Sequence, residues 1–220
     1  MNQPNSGSFF GHPGGLSTLF FTEMWERMSY YGMRALLVLF MTAMLQEGGL
    51  GLTVASAGAI YGLYTGAVYF MGLPGGWIAD RLLGGQKTIW YGGIIIMLGH
   101  IVLAIPSTQT FFIGLILVVI GTGLLKPNIG AMVGMLYSDE DRRRDSGYTL
   151  YYMGINIGSV IGSLVCGFLA DNAGYHYAFG AAAIGMGIGL IQYKMTRPRL
   201  QGSASQPKQP LSPKHARISW

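Results

Sequence analysis

Between Thr22 and Arg34 the chain runs TEMWERMSYYGMR, which sets Glu23, Glu26, Arg27 and Arg34 inside a stretch otherwise rich in apolar and aromatic residues. At about 100° per residue, these side chains and Tyr30 fall within a stripe about 100° wide, so a helix here turns every charge to one side. A charge at the centre of a bilayer costs about 2.5–3.5 kcal/mol on insertion scales, too much for neighbouring leucines and phenylalanines to offset unless the charges pair or face water. The stripe is therefore expected to line a polar cavity. Ionisable groups in such a place mark ion or solute paths. Transport of a solute together with protons is the leading expectation, ahead of an Arg–Glu cluster that only fixes helix packing.

Composition points to a membrane protein before any motif is considered. Hydrophobic residues make up 50% and charged residues 10%, with a mean hydropathy of +0.39, whereas a soluble domain carries about 25% charge. Six apolar segments, 16–45, 53–79, 88–105, 111–137, 147–170 and 175–195, are each long enough to span about 30 Å of hydrocarbon. This predicts an all-α membrane protein: residues 1–15 at the cytoplasmic side, a six-helix bundle over 16–196, and a polar linker or disordered tail over 197–220, rich in Ser, Gln and Pro. Arg81 and Lys87, then Arg142, Arg143 and Arg144, then Lys194, Arg197 and Arg199 occupy alternate connectors, while those around Glu47, Ser107 and Asp171 carry no lysine or arginine. By the positive-inside rule both termini and the basic connectors face the cytoplasm. The expected location is the plasma membrane, bacterial in kind.

Other residues carry less. The pI near 9.4 does not signal nucleic acid, because the basic residues lie in connectors and the tail and not along one helix face. The lone Cys166 sits among small and apolar residues and is expected in the core. His100 is expected to be a hydrogen-bonded packing residue, and His176 is too isolated for a metal site. The run 139–145 suits a solvated loop, and Trp77 and Trp90 suit interfacial anchors. No nucleophile elbow, P-loop or metal-ligand cluster occurs, so neither an enzyme nor a metal cofactor is expected.

Glycine is abundant, 35 of 220 residues, and partly ordered. Gly58, Gly62 and Gly66 form one four-residue ladder, and Gly154, Gly158 and Gly162 another. Such ladders allow close helix approach where lipid removes the hydrophobic drive for association. Gly76-Trp77-Ile78-Ala79-Asp80 closes the second segment, and Gly167-Phe168-Leu169-Ala170-Asp171 closes the fifth. On the charge rule these ends lie on opposite sides. One three-helix unit then occurs twice in opposite orientation, as in each half of a major facilitator transporter.

Specific motifs narrow this. The stretch PGGWIADRLLGGQK around Asp80 resembles the major facilitator loop between the second and third helices. The E-x-x-E-R-x-x-Y-Y pattern ending at Tyr31, the G-x-G-x-x-K-P-N run over 121–128, and the F/Y-Y-x-x-I-N-x-G pattern ending at Gly158 together resemble the proton-dependent oligopeptide transporter (POT) family. Met28 stands where a phenylalanine is usual, and the second segment has no histidine, where animal members place one for proton coupling.

The resemblance implies a central pocket. Arg27 and Lys126 would bind a peptide carboxylate, Asn156 the peptide backbone, and Tyr30 and Tyr69 would line the site. Arg34 would extend its positive potential or form a structural ion pair. Pro127 would kink its helix beside Lys126. Glu23 and Glu26 would pair with Arg27 when ionised and release it when protonated, with no cofactor beyond the proton gradient. Asp80 and Arg81 would act as a gate latch on the cytoplasmic side. Implied partners are di/tripeptides, protons, the lipid bilayer, and a second six-helix bundle or a second copy of the chain. Two rival expectations are a non-transporting membrane scaffold or accessory half, and a carrier of another solute, such as nitrate or a modified amino acid, on the same scaffold.

Overall fold

A computed structural model of the chain describes residues 9–210. Six long helices follow one another: α1 (Gly15–Thr42), α2 (Val54–Ile78), α3 (Gly85–Leu103), α4 (Thr108–Met135), α5 (Arg144–Asn172) and α6 (Tyr175–Thr196). They coincide with the six apolar segments to within a few residues. Among them, α2 with the turn that follows it, α4 and α5 are long and apolar enough to cross a membrane on length and composition alone. The charges of α1 set it apart from those helices.

The ends of the helices are built from local chemistry. At α2 the Thr53 hydroxyl accepts from the Ser56 amide at 3.2 Å, satisfying one of the donors a helix start leaves unpaired. After α1 the chain turns back so that the Leu50 and Leu52 amides feed the Phe40 and Met41 carbonyls at 3.0 and 2.8 Å. Between α2 and α3 lies a π-helical turn, Ala79–Leu83, closed by Gly84 at a φ of 78°. A side chain at Gly84 would also meet the Ser205 carbonyl at 2.8 Å, so glycine is required there twice over.

Two apolar clusters hold the ends of the bundle. One gathers Leu37, Phe40, Ala57, Leu103, Phe111, Cys166 and Phe179, from one end of each of the six helices. The other gathers Leu16, Ile89, Leu125, Met132, Tyr151 and Tyr193. Successive helices therefore run antiparallel, and Glu23, Glu26 and Arg27 of α1 lie between the clusters. Asp80 and Asp171, which close the two echoing motifs, stand at opposite ends, as the inverted-repeat reading requires.

The glycine ladders part company. On α5, a Cβ at Gly158 or Gly162 would overlap the Met24 or Met28 carbonyl of α1, and one at Gly154 would meet Phe20 at 3.0 Å. This is the close approach expected. On α2, Gly58, Gly62 and Gly66 have nothing within 4 Å, so within the described residues that ladder makes no close helix contact. The reason is its register: α2 packs mainly on α4, using the face of Tyr64, Val68 and Gly75, which are buried.

Residues 197–210 do not form the free polar linker expected of them. Leu200 is fully buried. Gln86 donates to the Ser203 carbonyl at 2.8 Å and accepts from Arg197 at 2.8 Å, its amide donates to Ala204 at 3.2 Å, and the Gln209 amide donates to the Asp80 carbonyl at 3.0 Å. A polar segment can pack in this way because the ends of α2 and α3 present backbone groups that need partners. Residues 1–8 and 211–220, parts of the predicted terminal segments, lie outside the described residues.

Candidate functional site

Near the middle of the 28-residue α1, Glu23, Glu26 and Arg27 are almost wholly buried. The Arg27 guanidinium grips Glu26 with two nitrogens: Nη2 donates to Oε1 at 2.5 Å and Nε to Oε2. The same Nε reaches Glu23 at 3.3 Å. Removal of three charges from water is tolerable only with such pairing. The α5 glycine ladder seals the cluster, with Gly158 lying against the Arg27 Cβ. Tyr30 completes the stripe, its ring centroid 4.6 Å from the Arg27 guanidinium carbon.

Arg34 lies two turns further on and is half-buried. It donates to the Tyr61 hydroxyl of α2, and its guanidinium stands 6.0 Å from the rings of both Tyr30 and Tyr31. Of the two expected roles, the structural ion pair is not formed: among the described residues its partners are phenols. An aromatic cage holds a guanidinium by cation–π attraction without neutralising it, so its positive potential remains available.

Lys126 sits where α4 crosses α2. Pro127 lies inside α4 and offers no N–H to the Gly123 carbonyl four residues earlier. A Cβ at Gly75 would overlap that same carbonyl, so α2 passes hard against α4 at this level. Asn128 fastens the crossing, donating to the Gly75 carbonyl at 3.2 Å and to Leu124 at 2.6 Å. The crossing brings the Lys126 ammonium to 4.9 Å from the Tyr69 ring centroid, and Tyr69 is 67% exposed.

The structure brings together Glu23, Glu26, Arg27, Tyr30 and Arg34 on α1, and Tyr69 with Lys126 across α2 and α4. Among the described residues no hydrogen bond joins Asn156 to either group: it is exposed on α5, and its amide is turned back to the Tyr152 carbonyl at 3.1 Å. Asp80 is exposed and Arg81 donates to the Gln209 carbonyl at 3.5 Å; among the described residues neither of these two expected latch residues forms an ion pair. Tyr61, Tyr64 and Tyr151 were not among the expected site residues. Tyr61 holds Arg34, Tyr64 is buried with a hydroxyl that has no hydrogen-bond partner among the described residues, and Tyr151 is buried on α5. The visible signal for Tyr61 and Tyr64 was their position on an apolar helix, whereas Tyr151 opens the F/Y-Y-x-x-I-N-x-G pattern.

Elsewhere, His100 is fully buried and among the described residues neither ring nitrogen has a hydrogen-bond partner, so its packing is as expected but its hydrogen bond is missing. Trp77 is exposed at the end of α2, whereas Trp90 stacks on Tyr193 at 6.3 Å. In the 139–145 loop, Arg143 meets Asp141 at 2.7 Å and Arg144 meets Asp139 at 3.4 Å. The Arg143 guanidinium holds the Asp141 carboxyl well down, at about 2.

An inverted-repeat six-helix bundle with a buried carboxylate–guanidinium cluster and solvent-facing cation–tyrosine pairs defines half of a major facilitator-type membrane transporter. The POT family model matches residues 86–218. The uncharacterized transporter YclF of Bacillus subtilis (strain 168) is 51% identical over 97% of this chain, which spans 44% of that relative. The di-/tripeptide transporter of Lactococcus lactis subsp. lactis (strain IL1403) is 48% identical over 96% of the chain and 43% of its own length. Among solved structures, a peptide transporter POT in complex with sulfate matches 97% of the chain and 44% of its own with a TM-score of 0.93 at 46% identity. A POT family transporter in complex with 5-aminolevulinic acid matches 96% and 44% with a TM-score of 0.93 at 39% identity. The chain belongs to the POT family. It spans less than half the length of these relatives.

Proposed function

We propose that this chain supplies the N-terminal half of a proton-coupled di- or tripeptide symporter. The observation that carries the reading is the division of its cations. Arg27 is neutralised by two carboxylates, while among the described residues Lys126 and Arg34 are held by aromatic rings and a phenol and by no carboxylate. A substrate carboxylate entering from the open side would meet Lys126 first and compete with Glu23 and Glu26 for Arg27. Protonation of those carboxylates would free Arg27, which links substrate and proton binding in one cluster. Recognition through the carboxylate common to all peptides suits a carrier with broad side-chain tolerance. The basic connectors support a topology with both ends of the bundle at the cytoplasmic side of the membrane, by the positive-inside rule.

Proteoliposomes containing the chain together with a second six-helix bundle, supplied from YclF, should accumulate labelled dialanine when the outside is acid, and a protonophore should abolish the accumulation. Alternating access needs two bundles about one site, so the chain alone should give no uptake. Correct insertion of both parts without uptake would favour the scaffold reading. Because one similar structure holds 5-aminolevulinic acid, a small amino acid with a free carboxylate is the second reading. Preferential uptake of that solute over dialanine would select it.

A further inference from the structure

Two neighbouring helices carry exposed apolar stripes that end in cations. On α3, Lys87, Tyr91, Leu98 and Ile101 share one helix face and are all exposed. On α6, Ile184, Ile188, Ile191 and Lys194 do the same. The two lysines stand at one end of the bundle, because the start of α3 is clamped to the end of α6. The Tyr193 hydroxyl donates to the Gln86 carbonyl at 3.0 Å, and Trp90 stacks on Tyr193 at 6.3 Å. Just past α6, Arg197 donates to the Gln86 side chain at 2.8 Å, and Arg199 to the Ser17 hydroxyl of α1 at 3.1 Å. Lys87, Lys194, Arg197 and Arg199 are all exposed, and among the described residues none of them forms an ion pair. The 139–145 loop is the contrast, since Arg143 and Arg144 there each meet an aspartate.

We propose that this end of the α3–α6 seam binds the headgroup of an anionic phospholipid, with the phosphate on the four cations and the acyl chains along the two stripes. Like charges gathered on one rim repel one another until an anion joins them. From Lys87 to Ile101 the α3 stripe runs about 20 Å at 1.5 Å per residue, an apolar face with its cation at one end only, which matches the layout of a phospholipid. Each lysine stem can lie on its stripe while the ammonium reaches the headgroup. Each guanidinium spends one nitrogen on a neutral acceptor, which orients it in advance and leaves further N–H groups for two-pronged contact with phosphate.

Native mass spectrometry of the purified chain in neutral detergent, with dioleoyl phosphatidylglycerol or dioleoyl phosphatidylcholine added, tests this. The two lipids have the same acyl chains, and each cation beside an anionic headgroup contributes about fivefold, so the chain should hold phosphatidylglycerol about 100-fold more tightly. Lys87→Gln with Lys194→Gln leaves the Gln86 bonds in place and should bring the two lipids to within about fivefold of each other. The charge-matched pair Arg142→Gln with Lys208→Gln should leave the preference unchanged. Equal retention of both lipids by the unmodified chain overturns the proposal, and so does an equal loss in the charge-matched pair, which would reduce the effect to net charge. In thermal melts, phosphatidylglycerol should raise the melting temperature of the unmodified chain and not that of the lysine pair. An equal rise from inorganic phosphate at the same concentration would assign the rim to soluble anions and overturn the lipid assignment. Neither measurement requires transport, so a failure of the symport reading leaves both outcomes legible.

Discussion

Lys126 of α4 and Tyr69 of α2 face one another with the ammonium 4.9 Å from the centre of the phenol ring, and among the described residues no carboxylate comes within ion-pair distance of Lys126. A cation–π contact is worth about 0.5–2 kcal/mol, well short of the several kcal/mol that desolvating an ammonium costs. Lys126 is thus oriented but not neutralised. It differs in this from Arg27, which has no charge to spare until a carboxylate lets go.

If Lys126 takes the substrate carboxylate, C-terminally amidated dipeptides should compete with labelled dialanine about 10- to 100-fold more weakly than free dipeptides. That ratio corresponds to the 1.5–3 kcal/mol or so of a charged hydrogen bond. Lys126→Gln should erase the difference between the two. Competition binding in the two-bundle proteoliposomes measures both, and equal competition in the unmodified protein would point to another solute class.

Glu23 and Glu26 should separate into different phenotypes. Glu23→Gln removes the loosely held carboxylate, so uphill accumulation should be lost while counterflow exchange, which needs only the site, continues. Glu26→Gln strips Arg27 of its bidentate partner and leaves a buried cation under-compensated. It should destabilise the chain by about 3–5 kcal/mol, seen as a large fall in melting temperature in detergent. Intact accumulation in Glu23→Gln would assign the proton to another group.

The glycine ladders give a paired control. Gly158→Ala puts a methyl into the Met24 carbonyl and should cost at least the ~1–3 kcal/mol of an overpacked contact. Gly62→Ala, with nothing within 4 Å, should leave the melting temperature of this chain unchanged or slightly raised, since alanine favours a helix over glycine by about 1 kcal/mol. A chain indifferent to Gly158→Ala would contradict the α1–α5 packing described.

Topology can be read with single cysteines in a Cys166→Ser background. A probe at Ser205, in the segment beside Asp80, should label only from the cytoplasmic side, and one at Asn172 only from outside. Labelling of Ser205 from outside intact cells would invert the assignment made from the basic connectors.

The sequence by itself determined the six helices, their order and the stripe of α1. Those features rest on local quantities: apolar runs of spanning length, the 3.6-residue period that gathers Glu23, Glu26, Arg27, Tyr30 and Arg34, and the basic connectors. It also marked α5 as a helix of close approach, because a ladder of absent side chains is itself a local pattern, but it did not name α1 as the partner. Only the tertiary structure decided which partner each polar group finds. That Arg27 prefers Glu26 to Glu23, that Arg34 rests on Tyr61 and not on a carboxylate, and that Asn128 reaches the Gly75 carbonyl all depend on how helices distant in sequence cross. An identical glycine ladder on α2 points into open space because that helix turns its other face to α4. The tail after α6 packs where its composition suggested freedom, since its partners, Gln86 and the Asp80 carbonyl, are supplied by the end of another helix pair and leave no trace in the residues of the tail.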